Sequence, residues 1–150
     1  MWWVEWKAMG IPPDNESPLP DARVAEVAAF RTALHRFERQ TGVAARGCGL
    51  TPQRYLMLLT IWGAPDGEST VSGIADALDL PQTTVSDMIA RAIDVGLVER
   101  HPSDDGRSSL LSVTHEGKLR VTRTSRTLER DRSMLRDSLA AALRLLPSEA

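Results

Sequence analysis

Apolar residues recur along this chain at helical spacing, interrupted by proline, glycine and threonine. Val24, Val27, Phe30, Leu34 and Phe37 fall at steps of three and four, the spacing of one helix face. A helix is therefore expected to begin at Asp21, whose carboxylate can cap the first N–H groups. The run Gly42 to Gly49 is expected to break it. Leu50-Thr51-Pro52 opens a second helix. Thr51 is its N-cap, Pro52 takes the first helical position where no N–H partner is needed, and Leu50 and Tyr55 stand where a hydrophobic staple closes. Leu56, Leu59 and Trp62 carry that helix to Gly63, and Ala64-Pro65-Asp66-Gly67 is a turn. Val71 is expected in a brief strand, with Ser72 capping a third helix that turns Ile74, Ala75 and Leu78 inward. After Leu80-Pro81, the residues Val85, Met88, Ile89, Ala92 and Ile93 make the stripe of a fourth helix. Gly96 supplies its left-handed stop.

The period then changes from helical to alternating. Leu97-Val98-Glu99-Arg100 reads as one short strand, and the segment after Arg107 reads as another through Leu111 and Val113. A polar tip, Asp104-Asp105-Gly106-Arg107, joins them into a β-hairpin. Thr114 then caps a single long helix from about His115. Its stripe is narrow: Val121, Leu128, Leu135, Leu139, Ala142 and Leu146, with Leu143 beside it. Such a stripe seeks another helix, either the N-terminal one or its copy in a second chain. The expected fold is mainly α with a small β-wing: a winged helix-turn-helix flanked by N- and C-terminal dimerisation helices. A helix-turn-helix with a wing behind it is a device for holding duplex DNA.

The fourth helix has the character of a recognition helix. Gln82, Thr83, Thr84, Ser86, Asp87 and Arg91 occupy the face away from its apolar stripe. Short hydrogen-bonding side chains reach base edges and phosphates without filling the groove. Arg107, at the hairpin tip, is placed to enter a narrow minor groove, where negative potential favours a guanidinium. Asp105, two residues earlier, can orient it. Asp87 and Arg91 are four residues apart and can pair with each other on the surface.

Length and charge refine this picture. The 150 residues suit one domain, residues 21–150, preceded by a mobile arm, residues 1–20, that holds Trp2, Trp3 and Trp6 among prolines and polar residues. Within the domain, residues 21–46 and 115–150 are the expected dimerisation helices and 50–114 the winged helix-turn-helix. From Thr51 to Gly117 four basic residues face ten acidic ones, a local net charge of −6. From Lys118 to Arg144 eight basic residues outnumber three acidic, a net of +5. Affinity for duplex DNA rests largely on neutralised phosphates. The acidic lobe therefore supports a rival reading, a winged-helix protein-interaction module with weak or lost DNA binding.

Other function classes find little support. His35, His101 and His115 are scattered without metal-ligand spacing. No nucleophile motif or phosphate-cradling loop appears, so neither enzymatic activity nor a cofactor or metal is expected. No run approaches the ~18 apolar residues of a membrane span. The opening Met1-Trp2-Trp3-Val4-Glu5-Trp6-Lys7 is not expected to be a signal peptide, because it lacks a basic start and Glu5 interrupts it. One cysteine, Cys48, excludes an internal disulfide and suits a reducing cytoplasm. It precedes a helix start, which can lower a thiol pKa, but a lone loop cysteine is more often inert.

Taken together, Asp105, Arg107, Leu111, Val113, Thr114 and Gly117 resemble the wing pattern of the MarR family of bacterial transcriptional regulators. So do Leu50-Thr51-Pro52-Gln53, Ile74-Ala75-Asp76-Ala77-Leu78 and Gly96-Leu97-Val98. The resemblance runs from about Asp21 to Ala140. It departs at Asp87, where the family often has a basic residue, and at Pro81, where it often has a capping serine. It implies a homodimer joined through its terminal helices, bound to double-stranded DNA at a pseudo-palindromic operator. It also implies a repressor released by a small effector of the aromatic or phenolic kind common in the family. By the same resemblance Phe30, Leu34, Tyr55, Leu59 and Trp62 would line the effector pocket, with His35 or Arg54 as polar anchors.

Overall fold

The computed structural model describes residues 20–102 and 109–143. In chain order the elements are α1 (Asp21–Gly47), α2 (Pro52–Trp62), a 3-10 turn (Pro65–Gly67), β1 (Glu68–Ser69), α3 (Val71–Leu78), α4 (Gln82–Asp94), β2 (Val98–Pro102), β3 (Ser109–Val113), α5 (His115–Thr127) and α6 (Glu129–Leu143). No helix among the described residues is long and apolar enough to cross a membrane.

Local chemistry explains most of these boundaries. The Thr51 hydroxyl accepts from the Arg54 N–H at 3.1 Å, with Pro52 opening α2 and Gly63 closing it. Leu50 and Tyr55, the expected staple pair, are both buried. Gly96, at φ 70°, turns the chain out of α4 into β2. One expectation at α1 fails. Pro20 stands at the N-cap and no side chain caps the helix, so Asp21 is the first helical residue and acts only through the helix dipole. The expected break between Gly42 and Gly49 comes late in that run, since α1 continues through Gly42 to Gly47. Gly42 is buried there, and a Cβ would lie 3.3 Å from the Arg46 guanidinium and 3.6 Å from the Pro52 ring. That glycine serves close packing, not a turn.

The sheet has three antiparallel strands in the order β1-β3-β2. Val98 pairs with Val113 and Arg100 with Leu111, so the alternating pattern sends Val98, Leu111 and Val113 into the core. The third strand lies at Glu68–Ser69, not at Val71, and Thr70 caps α3 in place of Ser72 by accepting from the Gly73 N–H at 3.1 Å. A two-residue strand is too short to carry a periodic signal.

The expected single C-terminal helix is two. It breaks at Leu128 (φ −90°, ψ 1°), which is itself buried. Just before the break, the Thr124 and Thr127 hydroxyls donate to the carbonyls of Arg120 and Arg123 at 2.9 and 3.0 Å, a pattern that bends helices. The Arg132 guanidinium donates to the Ser125 carbonyl, spanning the break from α6 back to α5.

The core lies between α2, α3, α4, α5 and the inner face of the sheet. Met57, Leu58, Ile61, Ile74, Val85, Ile89, Leu97 and Leu111 are among its fully buried residues. Thr114 fastens the sheet to α5. Its hydroxyl accepts from the Gly117 N–H at 3.1 Å and donates to the Gly96 carbonyl at 2.7 Å. Thr114→Ala removes both bonds and is expected to cost about 1–2 kcal/mol. A urea midpoint lowered with unchanged slope would report it; an unmoved midpoint would show the cap to be idle.

Candidate nucleic-acid interface

The site is built on α3 and α4. α3 ends at Asp79, whose left-handed backbone (φ 51°, ψ 48°) reverses the chain. The Leu80 N–H then bonds back to the Ala75 carbonyl at 3.0 Å, and Pro81 leads into α4. This short turn fixes the angle between the two helices. Val85, Ile89 and Ala92 are fully buried, and Met88 and Ile93 pack beside them. That stripe holds one side of α4 on the core. Gln82, Thr83, Thr84, Ser86, Asp87 and Arg91 are all exposed.

At about 100° per residue, Asp87 lies within about 15° of the direction opposite to the buried stripe. Thr83, Ala90 and Asp94 lie within about 50° of the same crest. Ser86 stands on one flank of it, and Thr84 and Arg91 on the other. Asp87 and Arg91 form no ion pair, and among the described residues neither has a side-chain hydrogen bond. Both are left to an outside partner. Pro81 at the N-cap offers no side chain to the first N–H groups of α4, so the positive end of that helix dipole is also unclaimed.

The base of the hairpin is braced on its outer face. Ser112 on the central strand sits opposite Glu99 on one side and Glu68 on the other. The His101 Nε2 lies 3.3 Å from Glu68 Oε1 and 3.3 Å from the Ser112 hydroxyl, which donates to Glu99 Oε1. This network joins all three strands, and its members were not singled out in the sequence. Pro102 and Ser109 close the register of β2 with β3. Asp105 and Arg107 lie outside the described residues.

At the other end of the domain, α1, α2, α5 and α6 enclose an open groove of ≈ 420 Å³. Its walls are Phe37, Pro52, Leu56 and Leu59, with Tyr55, Ser125 and Arg132 as polar members. The Tyr55 hydroxyl is 2.8 Å from that of Ser125. Of the expected pocket residues, Tyr55 and Leu59 come together here; Phe30, Leu34, His35, Arg54 and Trp62 do not line the groove. Trp62 instead lies at the end of α2 with the Lys118 ammonium 5.8 Å from its ring centroid, a cation–π contact. Ser125 reaches the groove from α5, and Arg132 from α6 beyond the break at Leu128, which the residue pattern did not reveal. Cys48 caps the end of α1 through its backbone N–H and is partly exposed.

The sequence matches the model of the MarR family over residues 49–108, which run from just before α2 to the segment joining β2 and β3. No curated protein matches it. Among solved structures, apo MarR from E. coli shares 18% identity, covering 87% of this chain and 96% of that one, with a TM-score of 0.64. AbsC, a MarR family transcriptional regulator from Streptomyces coelicolor, shares 18% identity over 87% and 94% of the two chains, with a TM-score of 0.67. A MepR mutant from S. aureus, bound to an oligodeoxyribonucleotide, shares 19% over 80% and 82%, with a TM-score of 0.59. The structural likenesses extend the shared winged-helix fold across α1 and the C-terminal helices, well beyond the matched core. The family model is seated on the helix-turn-helix and the start of its wing, and over that stretch this chain is similar to the MarR family, whose fold its solved neighbours share.

Proposed function

We propose that the chain is a transcriptional regulator that grips a pseudo-palindromic operator as a homodimer, with α4 in the major groove and Arg107 in the adjoining minor groove. The observation that carries this reading is the exposed polar face of α4, set over a fully buried apolar stripe. The core determines the direction of that face, and nothing among the described residues covers it. One solved relative, a mutant E. coli MarR, is complexed with operator DNA, and the MepR mutant is bound to an oligodeoxyribonucleotide. Pairing of two copies is supported by Val24, Val27, Met134 and Leu139, which one chain leaves exposed on its terminal helices. Release by a small effector, hence repression, is supported by the groove between those helices and the winged lobe. An apolar ligand there would relieve operator binding if it preferred one spacing of the two reading heads.

A gel shift with the DNA upstream of its own gene, at several salt concentrations, tests the reading. Saturable binding that weakens steeply with salt is the expected result. Arg107→Ala should weaken it by about 1–3 kcal/mol at fixed salt, and unchanged affinity would remove Arg107 from the interface. The net charge of −6 between Thr51 and Gly117 favours a second reading, a protein-interaction module that kept the winged fold. Indifference to every duplex would favour that one.

A further inference from the structure

We infer that Asp87 is a base-reading residue: its carboxylate accepts a hydrogen bond from a cytosine amino group at one position in each half of the operator. This rests on the DNA-binding reading above and adds to it the base that the crest of α4 selects.

An α-helix with its side chains is about 10–12 Å across, and the major groove is about 12 Å wide. A helix seated in it turns its crest to the floor, where base edges lie, and its flanks to the walls, where phosphates lie. Asp87 is on the crest of α4, opposite Val85, Ile89 and Ala92, while Thr84 and Arg91 share a flank. The carboxylate thus faces bases more closely than phosphates. Arg91, unpaired with Asp87, is left to meet the wall.

The chemistry of an ionised carboxylate then narrows the choice. It only accepts hydrogen bonds. Guanine offers O6 and N7, both acceptors, and thymine offers O4 and a methyl group, so both repel it or leave it unpaired. Adenine offers its N6 amino group, but the adjoining N7 acceptor repels the second carboxylate oxygen. Cytosine offers its N4 amino group with no acceptor on its own edge beside it. A carboxylate at the crest also lowers affinity for DNA of arbitrary sequence, because only a base donor offsets its desolvation and its repulsion by the phosphates. Asp87 therefore exchanges general affinity for selectivity in a lobe that is already acidic.

The test selects duplexes from a randomised pool with the full-length protein and two variants, Asp87→Asn and Asp87→Ala. Asp87 is exposed and without partners among the described residues, so both variants should fold, and circular dichroism checks that they do. The wild type should select cytosine at one position per half-site, and replacing that base should weaken it about tenfold or more. Asp87→Asn should move the preference there towards adenine, whose N6 and N7 suit an amide. Asp87→Ala should accept all bases there and bind random DNA more tightly at low salt. If the wild type selects a site and both variants select the same bases at every position, Asp87 reads nothing and the inference is overturned while the DNA-binding reading stands. If the wild type selects no duplex at all, both fall.

Discussion

Gly117→Ala is expected to destabilise the domain by about 3 kcal/mol, enough to threaten folding in a protein of ordinary marginal stability. In an open helix the same change would gain up to about 1 kcal/mol, because alanine is the better helix former. The surroundings decide the sign. A Cβ at Gly117 would lie 2.5 Å from the Leu97 carbonyl oxygen and 2.6 Å from a methyl of Val113. Neither can move away cheaply. The Leu97 carbonyl also accepts from the Thr114 N–H at 3.1 Å, and Val113 is buried and paired with Val98. Shifting α5 outward would strain the Thr114 cap, which reaches Gly96 and Gly117 together. Gly47→Ala is the control: it has no atom within 4 Å of the new methyl and should be neutral or slightly stabilising. Urea unfolding of the two variants checks the contrast. Equal midpoints would mean that α5 does not approach the sheet this closely.

Gly117 also shows what kind of information the residue string holds. It is the last member of the wing pattern, but the reason for a glycine there is long-range: α5 presses against the Leu97 carbonyl, which lies before β2 in the chain. The features that were legible were local ones. Thr51 and Thr114 announce their helices because a hydroxyl one residue before an apolar period has one common use, and Val85, Ile89 and Ala92 name a buried face by spacing alone. From that face the exposed Gln82 to Arg91 surface follows directly, so the surface proposed to meet DNA was legible in the sequence as an exposed polar face. What escaped notice depended on long-range pairing or on breaks in a regular pattern. Glu68–Ser69 is a strand only because β3 lies beside it, and so the chain from Glu68 through His101 and Ser112 to Glu99 was hidden. Val121 and Leu128 continue one stripe without interruption, and the break lies in how threonine hydroxyls and Arg132 treat the backbone. The groove lining differs as well: α6 brings Arg132 to it, whereas Phe30 and Leu34, which the family resemblance implied, do not line it.

If two copies pair as proposed, the pair Val24→Asp and Val27→Asp, made together, is expected to convert that homodimer into monomers and weaken the proposed operator binding by about a hundredfold or more. α1 is 27 residues long, and its two ends differ. Ala44 and Ala45 are buried and Phe37 packs on the core, whereas Val24 and Val27 remain 48% and 49% exposed. On α6, which packs against α1, Met134 and Leu139 are 47% and 41% exposed. Together these side chains form an apolar edge on neighbouring helices, and in the proposed homodimer a second copy would supply the matching edge by symmetry. Covering the exposed half of each valine is worth about 1 kcal/mol, so two aspartates in each chain remove that gain four times over and place four carboxylates in one interface. The winged lobe contains neither valine and should stay folded. The loss of affinity comes from unlinking the two half-sites, since the second head no longer binds at the high local concentration set by the first. Light scattering after size exclusion gives the mass, and circular dichroism verifies the helices. Val95→Asp, 54% exposed at the end of α4, should leave the mass unchanged. A dimer that survives both aspartates would place the contact between copies on another face, and the spacing of the two reading heads would have to be derived again from there.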